Sequence, residues 1–240
     1  MKKIFTIIEE VAAYGIAISL ILIILISSIQ YHCFHKKFYH QEYQRLQTSQ
    51  TLGMTENDLF LATDTLLDYL EKKIDSIDVD VTIKGVTAKA FNSKESAHMK
   101  DVQNLYQFAL MVRRIAVVVT ILGFLYLILY NRKDLWTTFS IHFIKVAFIF
   151  VVIVIMFAGW AYVDFDAFWT AFHRLSFRND LWLLDPSTDL MINLFPSSFF
   201  SHLVFKIIQT FLLWFIIIFS LCYYYLHRSL KMYHKEKSNG

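Results

Sequence analysis

Charge is scarce in this chain: Asp, Glu, Lys and Arg make up only 18% of its 240 residues, against 56% hydrophobic. A water-soluble domain carries more charge than that, so lipid is the main solvent expected here. The net charge of +3 is too small to argue for nucleic acid, and no basic stripe alternates with aromatics. Cysteine is nearly missing as well. Cys33 and Cys222 fall at opposite ends of different apolar runs, which argues against a disulfide between them. No glycine-rich phosphate loop occurs, nor any Walker, HExxH, CxxC or GxSxG pattern. No internal repeat is visible, which disfavours the duplicated halves common in transporters.

What is present is apolar and long. Runs at residues 11–30, 110–130, 141–162 and 203–225 each supply roughly 20 residues, enough at about 1.5 Å per residue for a hydrocarbon core of about 30 Å. Tyr31, Tyr130, Trp160, Tyr162 and Tyr223 to Tyr225 cluster at their ends, as an interfacial belt does. The first run follows Lys2 and Lys3 but is too long for a signal-peptide core and lacks a small-x-small cleavage site. No small residues precede Cys33, so no lipoprotein-processing site is read there, and the run is expected to be a permanent anchor.

The expected fold class is an all-α membrane protein with four transmembrane helices, a small α+β extracytoplasmic cap and an interfacial amphipathic helix. The division predicted is the N-terminus and first span at 1–31, the cap at 32–109, and the second span at 110–130. A cytoplasmic loop at 131–140 and the third span at 141–162 follow. An outer segment at 163–202, the fourth span at 203–226 and a cytoplasmic tail at 227–240 complete it. Lys2, Lys3, Arg132, Lys133, Arg228, Lys231, Lys235 and Lys237 set this orientation through the excess of basic residues on the inner side. Arg113 and Arg114 run against it unless they sit at the outer headgroup level.

Within the cap, Thr55 is placed to cap a helix through Asp58, with Leu59, Leu66, Leu67 and Leu70 at helical spacing. Val79, Val81 and Ile83 alternate with polar residues ahead of Gly85, which predicts a short strand or hairpin. Ser93 or Ser96 is expected to start a helix that continues into the second span. In the second outer segment, Phe165, Phe168, Trp169, Phe172 and Leu175 form one apolar helix face, with Asp164 as its cap. Asp185 and Pro186 are expected to begin another short helix, and Pro196 to end it.

Two polar islands interrupt the greasy background, one around His98 and one around His173. Titratable groups near a lipid boundary are costly and invite a functional reading. His98 and Asp101 are three apart and share a helix face, so the carboxylate is placed to fix the tautomer of an imidazole base. The competing reading is a solvated local pair. His173 shares a face with Trp169 and Asp166; alone, it is an interfacial histidine with a polar tip. Arg174, Arg178, Arg113 and Arg114 suit phosphate or carboxylate recognition, with snorkelling as the plainer alternative. Asn179 and Asp185 are equally placed to cap turns. His32, His35 and His40 lack a second ligand cluster of recognisable spacing, so no metal is expected.

The string Glu95-Ser96-Ala97-His98-Met99-Lys100-Asp101-Val102 resembles an E-x-x-H-M-x-D-V signature of small bacterial membrane proteins. The stretch from Phe168 to Phe172-His173 resembles a second signature. It is followed by Phe177-x-Asn179-Asp180-x-Trp182-x-Leu184-Asp185-Pro186 and Leu194-Phe195-Pro196. These are similar to the lipoprotein intramolecular transacylase family. The resemblance implies an acyltransferase of the bacterial cytoplasmic membrane with its site facing outward. Its substrate would be a diacylglyceryl lipoprotein with a free α-amine, held with membrane lipid around it. The sn-2 acyl chain would move to that amine, giving a lyso-form lipoprotein, with no cofactor, metal or nucleic acid.

The site set expected is His98, His173 and Asp101 for catalysis, with Arg174, Asn179, Trp169, Trp182, Asp166, Asp185 and Arg113 around the substrate. His98 is taken first as the base, oriented by Asp101, with His173 stabilising the oxyanion or protonating the leaving glycerol oxygen; spacing alone leaves the two roles exchangeable. The alternatives are a non-enzymatic membrane scaffold or sensor whose outer cap binds a protein, and a transporter.

Overall fold

The computed structural model describes the backbone of residues 2–239 and the side chains of residues 6–232. Lys2, Lys3, Lys235 and Lys237, which carry part of the orientation reading, have side chains outside that range. In chain order the elements are α1 (Lys2–Cys33), α2 (Lys36–Leu46), α3 (Thr48–Leu52), α4 (Glu56–Leu70), β1 (Asp80–Ile83) and β2 (Val86–Lys89). Then come α5 (Ser93–Tyr130), α6 (Leu135–Val163), α7 (Phe165–Ser176), α8 (Leu190–Leu194) and α9 (Ser197–Asn239).

Four helices, α1, α5, α6 and α9, are long and apolar enough to cross a membrane. Contacts divide the chain into two bodies. The first holds residues 1–29, 110–159 and 207–240. Its core is formed by Ile16, Ile21, Leu127, Phe143, Phe211 and Phe215. Around that core, Ile121, Phe148, Ile155, Met156 and Leu213 expose their side chains, the pattern of a surface solvated by acyl chains. Gly123 explains how α1 and α5 approach. A Cβ there would stand 2.6 Å from the Ile16 side chain.

The second body holds residues 30–109 and 160–206. Thr55 caps α4 by accepting the Asp58 N–H at 3.1 Å, as the spacing predicts. Leu59, Leu66 and Leu67 are buried from α4. The strands pair antiparallel with Ile83 opposite Val86, so Lys84 and Gly85 alone make the turn. Both have positive φ (50° and 82°), the two-residue turn whose twist matches a hairpin. The C-terminal carbonyls of α4 are claimed from α5, where the Gln103 and Gln107 amides donate to Tyr69 O at 2.5 Å and Leu70 O at 3.1 Å.

One local expectation holds, with a capping residue added, and one changes. α5 begins at Ser93, but the capping side chain is Asn92, whose Oδ1 accepts the N–H of Lys94 and of Glu95. Glu95 returns the bond to the Asn92 N–H, so an Asn-x-x-Glu capping box starts the helix. Asp185-Pro186 does not begin a helix. The Asp185 carboxylate accepts from Ser187 and closes a turn, while α8 begins five residues later at Leu190. The shorter side-chain loop satisfies Asp185 locally, so it has no helix N–H left to cap.

Candidate active site

α5 has 38 residues, about 57 Å, nearly twice a hydrocarbon core. Lys94, Glu95, Lys100 and Asp101 lie in its first turns, which belong with the second body; the charge-free apolar stretch begins at Ile115, after Arg113 and Arg114. His98 therefore stands on a helix turn ahead of the spanning part. It is 5% exposed. His173 stands on α7 and is 8% exposed. The Asp164 carboxylate caps α7 through the Ala167 N–H at 2.9 Å, which sets the register that turns Trp169 and His173 to one side.

The two imidazoles face each other with ring centroids 6.0 Å apart. Phe177 stands edge-on to His98 at 5.2 Å and tilted against His173 at 5.7 Å. Trp182 lies over His173 at 5.1 Å, and Trp169 meets the same ring edge-on at 4.9 Å. Trp169 is itself stacked on Phe200 at 4.5 Å. The pair thus sits in an aromatic box.

Protonation follows from the surroundings. Nδ1 of His173 lies 2.8 Å from the carbonyl oxygen of Trp169. A carbonyl only accepts, so Nδ1 carries the proton and Nε2 keeps its lone pair. Burial lowers the His173 pKa, partly offset by that bond. Burial pushes His98 down to about 4, with the neighbouring His173 adding to the effect and Asp101 opposing it. Both rings are neutral near pH 7. His98 Nδ1 is buried and has no hydrogen-bond partner among the described residues. An unsatisfied buried nitrogen calls for an explanation, and here it stands beside a second imidazole.

Asp101 does not make the tautomer-fixing bond expected of it. Its carboxylate accepts the Asn179 side-chain amide at 2.9 Å, and Asn179 in turn accepts the Leu181 N–H at 3.1 Å. Asp101 acts on His98 through charge and on the loop through Asn179. Three residues apart, the carboxylate had two partners within reach, and the loop donor won.

The remaining expected residues divide. Trp169 and Trp182 meet the His173 ring, and Asn179 reaches Asp101. Asp166 and Arg174 line an open groove of about 640 Å³ along α7, with Trp160, Thr170 and Ala171. Asp185 is engaged in its own turn. Arg113 belongs to the first body. His40 stacks on Phe60 at 3.7 Å and His35 on Tyr31 at 5.3 Å. Phe177, which touches both imidazoles, was missing from the expected set. So were Asn92, for which the Asn-x-x-Glu spacing is the available signal, and Asp189, which the fold alone brings to Asn92.

The family described as lipoprotein intramolecular transacylase Lit matches residues 14–200. A search of curated proteins finds no match. The in meso structure of the membrane integral lipoprotein intramolecular transacylase Lit from Bacillus cereus is similar at 23% identity and a TM-score of 0.72. The match covers 97% of this chain and 100% of that one. Two further structures of the Bacillus cereus protein, with a histidine replaced by arginine or by alanine, are 22% identical, at TM-scores of 0.66 and 0.67. They cover 96% of this chain and 95% and 97% of theirs. At that identity the structures establish the fold.

Proposed function

The chain belongs to the lipoprotein intramolecular transacylase Lit family, acyltransferases of the membrane, and from that premise we propose that its buried histidine pair moves an acyl chain within one lipoprotein molecule. The substrate is a lipoprotein whose N-terminal cysteine carries a diacylglyceryl group and a free α-amine. The sn-2 chain passes from glycerol oxygen to that amine. The site faces outward from the cytoplasmic membrane, where such a substrate presents its amine at headgroup depth.

The observation that carries this reading is the Trp169 carbonyl on His173 Nδ1, opposite His98 at 6.0 Å. It leaves His173 Nε2 as a base of fixed tautomer. The amine nitrogen attacks the ester carbonyl carbon, a C–N bond forms, and His173 Nε2 takes the proton that nitrogen loses. The carbonyl oxygen becomes an oxyanion, to which neutral His98 donates a ring N–H. The C–O bond to glycerol then breaks, and the His173 imidazolium returns the proton to the leaving oxygen. Every proton is accounted for. Because nucleophile and ester share one molecule, holding it folded is the larger share of the task. Trp169, Trp182 and Phe177 suit that purpose, with Asn179 and Arg174 as polar partners for the glycerol and peptide.

The test is co-expression with a reporter lipoprotein in a host lacking N-acylation. Transfer conserves mass, so the N-terminal peptide is fragmented. An acyl group on the amine supports the reading; two chains remaining on glycerol would refute it.

A further inference from the structure

Glu95 is 1% exposed and lies one turn before His98 on α5, and the transfer steps do not use it. Its Oε2 accepts the Asn92 N–H at 2.8 Å and its Oε1 accepts the Met191 N–H of α8 at 2.6 Å. The same junction is braced twice more. The Asn92 amide donates to the Asp189 carboxylate at 2.8 Å, and Lys94 donates to the Leu183 carbonyl at 2.5 Å. The first turn of α5 is therefore fastened to residues 183–191. The chain immediately before them, residues 177–182, carries Phe177 and Trp182 onto the imidazoles.

A carboxylate is an unusual choice for a buried joint, because burying its charge is costly. Burial does raise the Glu95 pKa, while the N–H groups of Asn92 and Met191 oppose the rise. Its merit is geometric. Two oxygens that only accept take N–H groups from two elements at once, whereas an amide would turn a donor toward one of them.

We propose that Glu95 is a positioning residue for the transfer reaction. By joining the first turn of α5 to the first turn of α8, it sets His98 against His173 and against Phe177, whose ring meets both imidazoles. The proposal rests on the acyl-transfer reading of the same site.

Glu42 provides the comparison. It is equally sequestered, at 2% exposed. It joins α2 to α9 through His202 at 2.5 Å and also binds Arg45 at 2.6 Å. None of those partners touches either imidazole in the ring contacts of His98 and His173. A general loosening of the fold follows from either substitution; a change at His98 follows only from one.

The experiment uses the full chain in detergent, as wild type, Glu95→Gln and Glu42→Gln. It reads the thermal midpoint, kcat and KM on a diacylglyceryl lipopeptide, and the His98 pKa by NMR of isotope-labelled histidine. The titratable groups facing His98 are His173 from α7, which lowers its pKa, and Asp101 from its own helix, which raises it. Both variants are expected to lower the thermal midpoint. Only Glu95→Gln is expected to lower kcat by about tenfold or more with KM little changed, since misplacement of about 1 Å costs up to about a hundredfold. Only Glu95→Gln should move the His98 pKa upward toward 6.5, as water reaches the ring. Unchanged kcat and pKa in Glu95→Gln, or the same shift in Glu42→Gln, would overturn the assignment. If Glu95→Gln does not fold, Glu95→Asp, which keeps the charge and shortens the reach, replaces it with the same two expectations. A wild type that transfers no acyl chain would sink the acyl-transfer reading, while the His98 titration would still decide the positioning role.

Discussion

The carbonyl oxygen of Trp169 and Nδ1 of His173 are 2.8 Å apart, one helical turn from each other on α7. The helix thus supplies from its own backbone what a carboxylate supplies in many histidine bases. The bond uses a main-chain carbonyl, so no side-chain replacement at position 169 removes it outright. Trp169→Ala is expected to lower activity through lost packing around the ring, while the tautomer of His173 stays as it is. The tautomer is read from the nitrogen chemical shifts of labelled histidine.

The pH dependence follows from both lowered imidazole pKa values. In the proposed mechanism both rings act in their neutral form, so the enzyme's own acid limb should lie below the ordinary histidine value of 6.5, toward about 4 for His98, and appear as a further steepening of the rate profile there. A separate limb near roughly 8 belongs to the substrate amine, which must lose its proton to attack. Stability has the same sign. Between those two histidine values the unfolded chain binds more protons, so stability falls as pH falls through that window. Rate and thermal-midpoint profiles over pH check both; an enzyme limb at or above 6.5 contradicts the burial argument.

Asp101 separates charge from hydrogen bonding. Asp101→Asn keeps a partner for Asn179 but removes a negative charge that raises the His98 pKa. The acid limb should move to lower pH, with kcat reduced less than about tenfold, the scale of one exposed hydrogen bond. A loss as large as that of His98→Ala would make Asp101 a direct participant.

Topology is checked with single cysteines in a background free of Cys33 and Cys222. Positions Asp75 and Asn179 should label from outside intact cells, and Lys235 only after permeabilisation. External labelling at Lys235 would invert the orientation.

Much of the fold was legible because lipid imposes a simple rule on sequence. The apolar runs, the Thr55 cap and the hairpin at Gly85 each rest on neighbours in the chain. The histidine pair was legible as two islands on a common side. What sequence did not carry was which acceptor each donor would choose. Asp101 is as close in sequence to His98 as a helix permits, yet its partner is Asn179, 78 residues away. The burial of Glu95 was hidden for the same reason, since its second partner is the backbone of Met191, whose side chain says nothing of it. Asp185 looked like a helix cap because Pro186 follows it, and nothing local disclosed that Ser187 would satisfy it first.

The most direct measurement is the initial rate of amine acylation by His98→Ala, His173→Ala and the double variant on the reporter lipoprotein, each verified as folded in the membrane. Removal of a proton-transfer group costs about 10² to 10⁴ in rate. Each single variant should fall by that much, and the double variant should fall little further, because groups that act as one unit lose their effect together. Wild-type rates of N-acylation in both single variants would show that the imidazole pair does not perform the transfer.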